Sequence, residues 1–159
     1  MKKLKIYLDT TIVSFLDAMD ALEKREVTLQ FWELAKKSEF QIVLSQLTLD
    51  ELLRCKEQKR DILFDYLKEI EFDVLEITTE VELLAKKYLD EKIIPKKYED
   101  DAYHLAVASV YQCDVIASWN FKHIVKYCTI IGVNGINKML GYKEIGILSP
   151  ESLIVEEEE

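Results

Sequence analysis

Five short runs of β-branched and aliphatic residues punctuate the chain: LKIYL at 4–8, QIVLS at 41–45, FDVLEIT at 72–78, CDVIAS at 113–118 and TIIGV at 129–133. Each has the length and composition of a buried strand. Between them, longer segments space their apolar residues at helical intervals. Val27, Phe31, Leu34 and Ala35 make one stripe in 23–38, and Val81, Leu84, Ala85, Tyr88 and Leu89 make another in 80–91. Segment 100–112 offers Ala102, Leu105, Ala106, Ser109 and Val110, and the stretch 48–70 reads as two consecutive helices. Strands alternating with helices imply right-handed crossovers and a parallel sheet covered on both faces. The pattern therefore predicts an α/β sandwich.

That architecture has a functional address. In open parallel sheets, ligands bind beyond the carboxyl ends of the strands, where the chain order reverses. The first run, KIYLDTTIV at 5–13, ends there on Asp9, an acid that packing does not require. Ser45 ends the second run, and Ser118-Trp119-Asn120 ends the fourth. Further acids stand at two predicted helix starts. Glu51 lies in SQLTLDELLR (45–54), and Asp100 and Asp101 open YEDDAYHLAVAS (98–109). Each acid also has an ordinary explanation. Thr48 with Glu51 reads as a capping box, Asp100 and Asp101 complement a helix dipole, and Asp9 caps a helix beginning near Thr10.

Taken together, the acids read differently. Asp9, Glu51 and Asp101 converging on one rim would repel one another unless a cation offsets them or one is protonated. Oxygen donors without a His or Cys partner suit Mg²⁺ or Mn²⁺ better than zinc. The three cysteines, Cys55, Cys113 and Cys128, form no close pair and no C-x-x-C, so neither a disulfide framework nor a zinc site is expected.

Size and charge narrow the picture. A length of 159 residues suits one domain with a real core, and 49% apolar with 32% charged residues argues against disorder. We expect a single domain over 1–155 and a disordered acidic tail over 156–159. Of the formal net charge of −9, four negative charges fall in that tail, leaving −5. This balance disfavours avid, non-specific nucleic-acid binding, although acids gathered round a metal are compatible with a nuclease. No apolar stretch approaches the ~20 residues that span a bilayer, so no membrane partner is expected. An acid follows closely on the basic start MKKLK, which argues against a signal peptide and for a cytoplasmic protein.

The motifs in order resemble the PIN-domain family, the fold of VapC-type toxin ribonucleases, from about Leu4 to Val155. YLDTTIV resembles its first strand with the leading metal-binding acid, here Asp9. S-x-x-T-x-x-E-L resembles the second motif and carries the metal-site glutamate to Glu51. DDAYHLAVAS resembles D-A-x-x-x-A-x-A, with Asp101 as its acid. The fourth motif departs from the common pattern: in SWNFKHI, Ser118 matches, but Asn120 stands where a further aspartate is usual. A branch of PIN-like proteins carries W-N-F-K-H-I with a later G-Y-x-x-I and S-P-E, present here as GYKEI and SPE.

The resemblance implies a PIN-like (Rossmann-like) three-layer sandwich with a central parallel sheet of about five strands. It also implies an endoribonuclease that depends on Mg²⁺ or Mn²⁺ and works on an RNA substrate. The metal set would be Asp9, Glu51, Asp101 and Asn120, with Ser118 joining them in the catalytic set. The expected partners are a small antitoxin protein and a second copy in a homodimer. Two other readings stay open. One is a PIN-fold protein of weak or absent activity, disabled at Asn120, that binds protein or RNA partners. The other is a HAD-like phosphatase, which also begins with an acid at a strand end. Its D-x-D signature is broken here by Thr11.

Overall fold

The structure, a computed structural model, describes residues 2–154; the predicted acidic tail at 156–159 lies outside the described residues. The elements alternate as β1 (Lys5–Leu8), α1 (Thr10–Phe15), α2 (Leu22–Lys36), β2 (Gln41–Ser45), α3 (Gln46–Leu53), α4 (Glu57–Leu67), β3 (Asp73–Leu75), α5 (Thr79–Asp90), α6 (Glu99–Val110), β4 (Val115–Ala117), α7 (Tyr127–Leu140) and β5 (Gly146–Leu148). All five strands are parallel, in the order β3-β2-β1-β4-β5. β1 is therefore central, and chain order reverses between β1 and β4, the place where such sheets bind ligands.

The period-2 alternation of a strand sorts the core into two layers. Ile6 and Leu8, Ile42 and Leu44, and Val115 and Ala117 face one side, where α1 to α4 supply Ile12, Phe31, Trp32, Leu52 and Leu63. Tyr7, Val43 and Ile116 face the other, packed with residues of α5, α6 and α7. Helices thus cover both faces of the sheet. α6 is apolar nearly all round, with Ala102 and every residue from His104 to Ser109 buried. A helix of that kind belongs inside the structure.

One predicted strand is a helix. TIIGV at 129–133 falls within α7, and the fifth strand is Gly146–Leu148. Over five residues an apolar β-branched run fits either period. The longer window decides, because Thr129, Val133, Ile136 and Asn137 all turn the same way into the core. Gly132 permits that close seat, since a Cβ there would lie 2.9 Å from Ile93 Cγ1. The helix stops at Gly141, whose φ of 84° is left-handed. The Asn134 side chain then ties β5 to the helix, donating to the Ile145 carbonyl and accepting from its N–H.

A buried polar junction joins the three helices of this layer. Tyr88 Oη donates to Asn137 Oδ1 at 2.5 Å, and Asn137 Nδ2 donates to Ser109 Oγ at 2.9 Å. At the opposite rim from the carboxyl ends, Asp114 accepts from the Lys5 N–H at 2.8 Å and from Lys143 Nζ at 2.9 Å. These bonds hold its carboxyl below the ordinary value of 3.8.

Two outcomes follow for stability. Asn137→Ala removes the amide from this junction, leaving Tyr88 bonded to Ser109 and Ser109 to the Leu105 carbonyl, and lowers urea-measured stability by about 1–3 kcal/mol. Because the folded pKa of Asp114 is depressed, its contribution is complete above pH 3.8 and is lost as pH falls through the lower folded value. Urea titrations across that range should show the gap between the native chain and Asp114→Asn closing on the acid side.

Candidate active site

Asp9 follows the last residue of the central strand and is almost fully buried. It is extended (φ −77°, ψ 173°) and is the N-cap of α1, accepting from Thr11 N–H at 3.0 Å. Thr11 Oγ1 donates to the same carboxylate oxygen at 2.5 Å, and Ser118 Oγ donates to the other at 2.5 Å. Both hydroxyls are themselves held. Thr11 Oγ1 accepts from Trp119 N–H, and Ser118 Oγ accepts from Asn120 N–H, each at 2.9 Å. Burial raises the Asp9 pKa, and the charge of His104 with the two hydroxyl bonds only partly offsets it.

Glu51, on α3, points one carboxylate oxygen at His104, which donates from Nε2 at 2.6 Å. Burial pushes the Glu51 pKa up, but the bond and charge of His104 outweigh it, and the net shift is downward. Asp101 stands in the first turn of α6, one helical turn before His104 and on the same face. Its carboxyl is raised to about 6, first by burial and then by the charge of Asp9, with Glu51 adding a smaller push; His104 and the Asn120 amide oppose the rise. The three acids therefore share one electrostatic field.

His104 is the counterweight. Its ring is buried and bonded at both nitrogens, Nε2 to Glu51 and Nδ1 to Tyr7 Oη at 2.6 Å. Burial disfavours its charge, yet Tyr7, Glu51 and Asp9 hold its pKa well above 6.5. When protonated, the ring donates at both ends, and the Tyr7 hydroxyl then donates onward to Ser45 Oγ at 2.7 Å. Among the described residues no lysine or arginine is buried.

The predicted capping box at Thr48 is not formed, because α3 begins earlier, at Gln46, with Ser45 as its N-cap. Ser45 makes no side-chain cap bond, since its hydroxyl is taken by Tyr7; Thr48 is buried and donates to the Leu8 carbonyl at 3.3 Å. Asn120 Oδ1 accepts from His123 N–H at 2.9 Å, which fixes which end of the amide is oxygen. Thr11, where a phosphatase of the D-x-D type needs its second acid, is a neutral hydroxyl bonded to Asp9. Tyr7 belongs to the site although no sequence motif singles it out. Its position two residues before Asp9 was the available signal, because residues two apart on a strand share a face.

The donor set suits a hard divalent cation in chemistry and charge. Asp9, Glu51 and Asp101 offer only oxygens, and burial together with the charges of Asp9 and Glu51 raises Asp101. Among the described residues, however, no three His, Cys, Asp or Glu side chains are grouped closely enough to hold an ion as they stand. The charge of His104 offsets part of the repulsion among the acids.

With only two histidines in the chain, their titration tests this balance. Proton NMR should show His104 changing charge well above pH 6.5 and His123 below it, the assignment coming from His123→Ala. The raised folded value of His104 means that its stabilising contribution is complete below pH 6.5 and is lost as pH rises through the folded pKa.

Comparison with known proteins agrees with this fold. The family model described as PIN domain matches residues 6–123. Among solved structures, the chain is similar to one in the crystal structure of VapBC2 from Rickettsia felis bound to a DNA fragment from their promoter. That match has 16% identity and a TM-score of 0.54, and covers 75% of this chain and 90% of that one. At such identity the likeness is one of fold. No curated protein matches the sequence.

Proposed function

Since the chain belongs to the PIN-domain family, we propose that it is a metal-dependent endoribonuclease acting as the toxin of a two-protein toxin–antitoxin pair. The observation that carries this reading is that Asp9 and the helix-borne Glu51 and Asp101 gather around His104 at the end of the central strand, close enough for burial and the charges of Asp9 and Glu51 to push the Asp101 carboxyl up to about 6. Acids crowded in this way at the carboxyl rim of a parallel sheet destabilise one another, a cost that a function has to explain.

In this reading Asp9 and Asp101 are the principal ligands of Mg²⁺ or Mn²⁺. Glu51 is a ligand or orients the attacking water, and Ser118 fixes the Asp9 carboxylate. A bound cation of this kind polarises the scissile phosphate and lowers the pKa of water. His104 holds Glu51 in place and supplies compensating charge. Asn120 lends a neutral amide beside Asp101, and its oxygen retains a second lone pair for a ligand besides the one on His123 N–H. The water oxygen bonds to phosphorus, the bond to O3′ breaks and the proton passes to that leaving oxygen. The products are a 5′-phosphate and a 3′-hydroxyl.

The molecule's setting belongs to the same reading. Residues 1–155 are read as one domain of the W-N-F-K-H-I branch, working in the cytoplasm as a homodimer with a small antitoxin as partner. Among the described residues no helix is long and apolar enough to cross a membrane. The fold neighbour is VapBC2 bound to a DNA fragment from its promoter, which is the kind of assembly envisaged for this chain.

Cleavage of single-stranded and structured RNA with Mg²⁺, Mn²⁺ or EDTA tests the reading. Asp101→Asn should lower the metal-dependent rate by about 100-fold or more while leaving the fold intact by circular dichroism. If neither RNA is cut, a Mn²⁺ titration distinguishes an unsuitable substrate from a site disabled at Asn120, because the disabled site binds no ion.

A further inference from the structure

Next to the acids the surface changes sign. The 3₁₀ turn Lys96–Tyr98 leads into α6, and the segment after Asn120 lies against it. The Tyr98 and His123 rings pack with centroids 3.9 Å apart and planes 30° from parallel. Lys97 Nζ and Lys122 Nζ each sit 5.8 Å from the centroid of that same Tyr98 ring. Lys126 adds a third positive charge close enough to act on His123. Among the described residues, none of these lysines lies within ion-pair distance of a carboxylate, whereas Lys36, Lys68, Lys86, Lys87 and Lys143 all do.

Like charges gathered without counter-charge in a chain of net charge −9 favour an anion between them. The His123 ring acts here as packing: both of its nitrogens are shielded from solvent, and its face holds the Tyr98 ring that the two lysines flank. The position is fixed from both sides. His123 N–H donates to Asn120 Oδ1 at 2.9 Å, and the His123 carbonyl accepts from Thr129 Oγ1 at 2.8 Å. The cluster is thus tied directly to the residue that flanks Asp101.

We propose that Lys97, Lys122 and the Tyr98–His123 stack form a phosphate-gripping subsite that holds the RNA backbone one step along from the scissile phosphodiester. The inference rests on the nuclease reading and adds to it the residues that seat the substrate. The acids repel an RNA strand on approach, and this patch supplies the attraction that brings it in. Lysine contacts to phosphate carry no sequence information, so the subsite sets affinity and register and leaves base choice to other groups.

Fluorescence anisotropy of a labelled single-stranded RNA 12-mer, with the native chain in EDTA, reads binding without cleavage. Lys97→Glu/Lys122→Glu should weaken binding by about tenfold or more. Lys97→Gln/Lys122→Gln should weaken it less and flatten the slope of log affinity against log salt by about 1.4, or ~0.7 for each single-strand phosphate no longer neutralised. Lys3→Glu, an exposed change at the far rim, should leave both unchanged. In cleavage assays the glutamine pair and His123→Ala should raise KM with kcat nearly constant. If the native chain cuts RNA and the lysine variants bind and cut as it does, the subsite is wrong while the nuclease reading stands. If the native chain neither binds nor cuts RNA and takes up no Mn²⁺, the nuclease reading fails and the subsite fails with it; if it takes up Mn²⁺ but binds no RNA, the subsite alone fails.

Discussion

The gathering of three carboxylates around one buried histidine is the constraint on which the rest of this site depends. Asp9 is buried by the central strand, and Asp101 is half-buried at the start of the most buried helix. Neither carboxylate reaches enough water to be solvated as an exposed acid would be. Burial and mutual repulsion both oppose ionisation. His104 offsets part of that cost from within the core, where its own charge is held by Glu51 and Tyr7. A buried charge stripped of its partner is strongly destabilising, so the acids and the histidine form one unit.

The backbone places this unit with little freedom. Strand alternation turns Tyr7 toward α6 while its neighbours Ile6 and Leu8 turn toward α1 to α4. The tyrosine hydroxyl then links the ends of β1 and β2 to His104 through Ser45. On the other side of β1, Ser118 and Thr11 clasp Asp9 and are clasped in turn by backbone N–H groups of the β4 exit. Three consecutive segments of the sheet rim are thereby cross-linked through side chains only one or two residues past the strands. The basic cluster at Tyr98 and His123 is fastened to the same rim through Asn120, so charge of both signs is organised around one segment.

Much of this could be read from the chain. The parallel α/β order followed from strand and helix periods, and the acids could be assigned to the carboxyl rim because that rim is a general property of such sheets. Asp9 as a helix cap was visible from its place just before the helix at Thr10. The misses have specific physical causes. TIIGV was too short to discriminate period 2 from period 3.6, and its fate was set by Asn137 bonding to α5 and α6. The Thr48–Glu51 box failed because Ser45 and Thr48 found partners on β1, far away in sequence. Local capping lost to tertiary hydrogen bonds.

By itself the sequence determined the succession of elements, the presence of acids at strand and helix ends, and the excess of negative charge. These depend on local periodicity and composition, which a chain carries whether or not it is folded. Tertiary structure alone decided the state of the acids. That Glu51 is held low by His104 while Asp101 is raised to about 6 depends on groups as far apart in the chain as Asp9 and Asp101 meeting in a medium that excludes water. Ionisation is a property of that meeting, because desolvation and the neighbouring charge act only once the sheet has brought its strands together.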